Sequence, residues 1–360
     1  MNVFPTFDHR IGADFRKELN RRVDEFLRHR GRHATLSLHF KAVVLFAAYL
    51  APLGLLLFLP MPVWVQMGLW TVMGLAMAGI GMNVMHDANH GSWSNNPRIN
   101  RLYGASIYLL AGLPLNWKIQ HNYLHHQFTN LHGLDEDVEV NGVLRLHTSE
   151  KRRWFHRFQH VYAPALYSLL TLNWALLKDF NKLLKYRKLG LLKKFKAHTG
   201  IEMAKLVLAK LFYFSLFVVL PIVFSPQSAG SLILGFVVMH LVAGLVLSIV
   251  FQLAHILEEV DMPHWEGNSE LDNEWMIHQL QTTANFSEGH PLITWYTGGL
   301  NHQIEHHLFP NVSHAHYPAI APLVRQTAEE FGLPYRSVPR FRGALANHFR
   351  TLWVLGNEAA

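Results

Sequence analysis

AVVLFAAYLAPLGLLLFL occupies residues 42–59, and MPVWVQMGLWTVMGLAMAGIGMNVM follows at 61–85. Neither stretch carries a charge, and at about 1.5 Å of rise per residue each can cross a hydrocarbon core of ~30 Å. Pro60 lies between them and breaks the helical ladder, so they read as an antiparallel helical pair. The pattern recurs further on. Residues 206–224 carry Lys210 alone, near enough to one end to snorkel, and 228–254 carry no Asp, Glu, Lys or Arg. Ser225-Pro226-Gln227 turns this second pair. A helical hairpin buried in a soluble protein competes with each pair singly, but four such runs favour a membrane.

The rest of the chain agrees with that reading. Of its 360 residues half are hydrophobic and 16% are charged, with 25 histidines and no cysteine. Without cysteine there are no disulfides, thiolate zinc sites, iron–sulfur clusters or Cys nucleophiles, and any metal must sit on nitrogen and oxygen. The formal charge of +7 does not point to nucleic acid, because long apolar segments interrupt the basic residues. All charged residues except Lys210 fall in 1–41, 86–205 or 255–360, which puts these three segments on one face. The positive-inside rule makes that face cytoplasmic, with both termini on it. The first 41 residues hold nine Lys or Arg and no apolar core of a signal peptide. The expected architecture is therefore all-α and polytopic. An N-terminal segment (1–41) precedes a first transmembrane hairpin (42–85), a cytoplasmic and interfacial region (86–205), a second hairpin (206–254) and a cytoplasmic C-terminal region (255–360). The cytoplasmic parts form a helical cap, and the whole is a single membrane domain.

Two further stretches are expected at the membrane surface. YGASIYLLAGLPL (103–115) is too short to span and reads as re-entrant or interfacial. VYAPALYSLLTLNWALL (161–177) is amphipathic and runs into KDFNKLLKYRKLGLLKKFK (178–196), an in-plane helix beside anionic headgroups. The basic run can equally dock an acidic electron donor or coenzyme A phosphates.

The histidines collect at the cytoplasmic ends of the hairpins. HDANH places His86 and His90 four residues apart, on one face if the second span continues as a helix. HNYLHH adds His121, His125 and His126, an adjacent pair able to diverge toward two centres. NHQIEHHLFP, residues 301–310, holds His302, Gln303, His306 and His307, and His255 sits at the mouth of the fourth span. A lone histidine is usually just solvated or hydrogen-bonded. Eight in chelating spacings are too many for one ion, and neutral imidazoles without thiolates suit iron, zinc, copper or manganese, so two metals are expected. His255 makes up a ligand count that the boxes leave short. Gln303 or His302 would complete the set, with Gln303 preferred. Asp87, Glu258, Glu259 and Glu305 are candidates to orient the ligands. Asn285, in QTTANF, is a candidate to hold a metal-bound water.

HDANH, HNYLHH and QIEHH over two hydrophobic hairpins resemble the integral-membrane fatty acid desaturase and hydroxylase superfamily, with three boxes holding a non-haem di-iron centre. The resemblance runs from roughly Val84 to Pro310. The glutamine-led third box is similar to front-end acyl desaturases and their bacterial relatives. It implies an O2-dependent enzyme acting on an acyl lipid or acyl-CoA, with two irons held by His86, His90, His121, His125, His126, His255, His306, His307 and Gln303. Zinc can replace iron in overexpressed protein. Many front-end enzymes carry a fused cytochrome b5 domain, whose His-Pro-Gly-Gly motif is absent from residues 1–41. A separate cytochrome b5-like or ferredoxin donor with its reductase is thus expected, in a bacterial inner membrane. Two alternatives stay open here. The same centre can hydroxylate, and a histidine-rich membrane protein can bind or transport metal, although the spans hold almost no ionisable groups beyond His240 and Lys210.

Overall fold

Four helices are long and apolar enough to cross a membrane: Leu36–Phe58, Val63–His90, Thr199–Phe224 and Ala229–His255. They appear in a computed structural model that describes residues 4–8, 10–138, 142–265, 267, 270–271 and 273–358. Each helix covers most of one apolar stretch and overruns it at the charged end, so that His86 and His90 stay helical and His255 ends the fourth. The regular structure of the described residues is almost all helical, and the chain divides into two compact units.

One unit comprises residues 35–119 and 164–249 and contains most of the four spans. With no hydrophobic drive between helices in lipid, close approach depends on small residues. Gly74 shows the principle, since a Cβ there would lie 2.6 Å from the Met239 carbonyl oxygen of the fourth span. Gly235 packs likewise against the Trp70 indole. Val43, Val44, Leu55, Leu208, Leu211 and Phe212 are exposed, the apolar surface that a bilayer covers. His240, deep in the fourth span, is satisfied by the Tyr213 hydroxyl at 2.9 Å and Thr171 at 3.1 Å.

Lys210 does not snorkel. Its ammonium is buried, donates to the carbonyls of Ala111 at 2.5 Å and Trp174 at 2.7 Å, and lies 3.5 Å from the Asp179 carboxylate. Asn116 also donates to Asp179, at 3.1 Å. These partners come from the two stretches expected at the membrane surface. The first folds as short helices, Pro97–Gly104 and Pro114–Trp117, on either side of a 3-10 helix at Ala105–Leu110. In the second, Tyr167, Thr171, Ala175, Asp179 and Leu183 bury one helical stripe while Leu169, Leu176, Leu177 and Leu184 stay exposed. The following helices, Asp179–Lys188 and Leu191–Lys194, border a cavity of about 320 Å³ lined by Arg187, Lys193, Lys196 and His198.

The other unit comprises residues 1–34, 120–163 and 250–360. Its first helix, Ala13–Leu27, buries Phe15, Leu19, Val23 and Leu27 at four-residue spacing. That stripe packs with Ile320 and Val324 of helix Tyr317–Glu330 and with Ile304 and Leu308 of the third box. Arg22 clamps the rim through Glu330 at 2.5 Å. A two-residue parallel ladder pairs Asn285 with Ser337 and Phe286 with Val338, fixing the loop before the third box.

Candidate metal centre

The winding of residues Lys118–His125 decides how the second box presents its rings. This segment is a π-helix, whose i→i+5 ladder brings residues four and five apart onto one side. His121 therefore meets both His125 and His126, with ring centroids 5.1 and 4.8 Å away. The adjacent pair still serves two groupings. His125 joins His255 and His307, while His126 joins His306 and His307. Trp275 fixes the far side of the box by donating from its indole to the His126 carbonyl at 2.9 Å.

Helix Gln303–Leu308 supplies the third box, all six of its residues buried. Gln303 comes close to two imidazoles, its amide nitrogen 2.9 Å from His255 Nε2 and 3.3 Å from His307 Nε2. His302 turns elsewhere, toward Glu288 and Glu305 at 3.9 and 3.8 Å.

Five of the rings are held from behind through Nδ1. Asp135 takes His125 Nδ1 at 2.9 Å, and Asp137 takes His121 Nδ1 at 3.1 Å. Gln279 accepts from His307 Nδ1 at 2.7 Å, the Thr282 carbonyl lies 3.4 Å from His255 Nδ1, and the Tyr317 hydroxyl 3.3 Å from His306 Nδ1. Metal-ligating histidines are oriented in this way, the other ring nitrogen pinned by a carboxylate or carbonyl. The His125 Nε2 atom is buried without a hydrogen-bond partner among the described residues, and the ring itself is fully buried. Burial works against a charged His125, but the Asp135 carboxylate outweighs it and raises the pKa. Nitrogen donors converging without thiolates, one of them buried and unsatisfied, fit a metal ion.

The orienting groups differ from those expected from sequence. Asp135 and Asp137 arrive from a turn ten and sixteen residues beyond the histidines they hold. Glu258 instead pairs with Arg350 at 2.8 Å and Glu259 with Asn347, because the chain leaves the helix after His255 and turns outward. Asn285 is fully engaged, accepting from the Ile304 amide and holding its amide nitrogen within 3.0 Å of Glu288, Glu305 and Tyr335 oxygens, so it is not offered to a bound water. Glu305 belongs to that network, and burial pushes its pKa up to about 7. In the other unit, His86 and His90 have ring centroids 4.7 Å apart, both edge-on to Trp117, and His86 Nδ1 lies 3.7 Å from Asp87.

Residues 62–339 match the family model described as fatty acid desaturase. The chain belongs to the fatty acid desaturase family. Along 348 residues it is 33% identical to the sn-1 linoleoyl-lipid 6-desaturase of Synechocystis sp., covering 96% of each chain. It is 35% identical over 349 residues to the acyl-lipid (8-3)-desaturase of Physcomitrium patens, covering 95% of this chain and 72% of the relative. The acyl-lipid (8-3)-desaturase of Mortierella alpina is 33% identical over 321 residues, or 87% and 71%. The desaturase is thus an integral-membrane oxidoreductase that unsaturates fatty acyl chains, a chemistry that uses iron.

Proposed function

We propose that the desaturase introduces a cis double bond into the acyl chain of a membrane glycerolipid, on the carboxyl side of an existing double bond. It does so with dioxygen and two irons held by His86, His90, His121, His125, His126, His255, His306, His307 and Gln303. The observation that carries the metal reading is the convergence of His125, His255 and His307 with Gln303, each ring anchored through Nδ1. His86 and His90 enter on their sequence motif alone. When bound, the irons supply the redox capacity to reduce dioxygen and remove hydrogen from an unactivated methylene, which redox-inert zinc lacks.

The protein's own residues do the remainder. Asp135, Asp137, Gln279 and the Thr282 carbonyl hold the rings in one tautomer, which makes Nε2 the ligating nitrogen. Full burial of His125, His255, His306 and His307 keeps bulk water away from the reacting carbons. A glycerolipid substrate is supported by the linoleoyl-lipid and acyl-lipid names of the relatives, and the regiochemistry by the glutamine-led third box. Electrons come from a separate cytochrome b5-like or ferredoxin donor and its reductase. The histidine face and both termini are cytoplasmic, in a bacterial inner membrane.

Lipid mass spectrometry on a host expressing the chain and containing linoleoyl lipids tests this reading. The expected product is lighter by two hydrogens, with the new double bond nearer the carboxyl end. Added oxygen would make the enzyme a hydroxylase. Unchanged lipids in cells holding iron-loaded protein and a competent donor would overturn the substrate assignment, and conversion of acyl-CoA alone would move it to that carrier.

A further inference from the structure

Behind the third box lies a second grouping of ligand-type side chains that the desaturation chemistry does not use. Glu288 follows the short strand Asn285–Phe286, His302 precedes helix Gln303–Leu308, and Glu305 lies one turn into it. The donor atoms of all three fall within 4.8 Å of one another. Asn285 donates to both carboxylates, at 3.0 Å to Glu288 and 2.8 Å to Glu305, and Tyr335 bridges the same pair at 2.9 and 3.0 Å. The two acids are thereby held together, with Arg325 reaching only Glu288, at 2.9 Å.

His302 is the unusual member. It is 2% exposed, and neither ring nitrogen has a hydrogen-bond partner among the described residues. Leaving both unsatisfied inside a protein is costly. Its Nδ1 stands 3.9 Å from Glu288 and 3.8 Å from Glu305, too long for a hydrogen bond. Those separations suit donors that share a cation, since bonds of about 2.0–2.2 Å leave neighbouring ligand atoms roughly 3–4 Å apart. The cluster also borders open space at Glu288. A surface cavity of about 470 Å³ is lined by Glu288, Tyr335, Ser337, Arg325 and Glu329, which leaves room on the Glu288 side for the waters that complete an ion's shell.

We propose that Glu288, His302 and Glu305 bind a divalent cation of the zinc or manganese type, apart from the histidine centre, that ties the third-box helix to the Asn285–Phe286 and Ser337–Val338 ladder. One imidazole with two carboxylates, and no sulfur, is the donor set such ions accept. The site does not depend on the di-iron reading, because none of its three ligands is assigned to that centre.

The test is a structure of the whole protein in detergent, loaded with iron and then equilibrated with Mn2+, with anomalous maps recorded at the manganese edge. A manganese peak between the three side chains, absent from Glu288→Gln while the metal peaks of the histidine centre persist, is the expected result. No peak in the wild type, or one undiminished in Glu288→Gln, overturns the proposal, and a proton shared by the carboxylates then accounts for the cluster. Should the variant fail to fold, the wild-type map decides alone. A peak at Glu288, His302 and Glu305 with an empty histidine centre would count against the iron reading and leave this site standing.

Discussion

Replacing His255 by Ala removes an imidazole from beside both Gln303 and the Thr282 carbonyl, while Phe251 and His125 still fill the surroundings. The expected outcome is loss of bound metal and of desaturation in a protein that still inserts and folds. Metal analysis beside an activity assay checks it, and a variant with full iron and full turnover would remove His255 from the centre. Asp135 is the complementary case, reaching the centre through His125 while also accepting from the Asn130 and Asp137 amides. Asp135→Asn should weaken metal binding by roughly 10–100-fold, measured by competition with a chelator, with no change in the number of sites at saturation. The histidines were legible in the sequence because chelating spacing is local. Asp135 and Asp137 were not, since a loop carries them back and nothing nearby distinguishes them from solvated acids. Glu258 and Glu259 were plausible on proximity alone, and the direction of the chain after His255 sends them elsewhere.

At the scale of elements, Lys210 and Asp179 connect the third span to the amphipathic helix Asp179–Lys188. Lys210→Met should strand a buried carboxylate and destabilise the fold by about 3–5 kcal/mol. Adding Asp179→Asn should recover most of that loss, as read by reversible unfolding in mixed micelles. Equal loss in the single and double variants would show that the carbonyl contacts matter more than the pair. The sequence revealed the charge of Lys210 but not its partner, which lies 31 residues away. The same helix leads to the basic cavity of Arg187, Lys193 and Lys196. Changing Lys185, Lys193 and Lys196 to Gln should raise the donor KM and flatten its salt dependence if an acidic protein docks there. Kinetics unchanged in detergent would leave the run as a headgroup contact.

For the whole molecule, the spans were the most legible feature, because a bilayer demands ~20 apolar residues and leaves little else to satisfy. The helices then overrun the apolar stretches at their charged ends, carrying His86, His90 and His255 with them. Imidazoles bind zinc more tightly than ferrous iron in the usual order, so overexpressed enzyme should purify partly as an inactive zinc form. Stripping and reconstituting with iron should restore turnover together with close to two irons per chain in the histidine centre. Active enzyme holding fewer than about 1.5 would rule out a dinuclear centre, since mononuclear sites of the same ligands saturate at one.

The π-helical winding of Lys118–His125 makes the second box sensitive to insertions and deletions in a way that substitutions do not reveal. Losing one residue between His121 and His125 without a change of winding would swing the later rings by one residue's angular step about the helix axis relative to His121, a step of ~100° in the tighter α-helix. Exchanging Asn122 or Tyr123 leaves the count intact. Drift within this family can therefore rewrite the intervening letters, while the interval itself works as a reading frame in three dimensions.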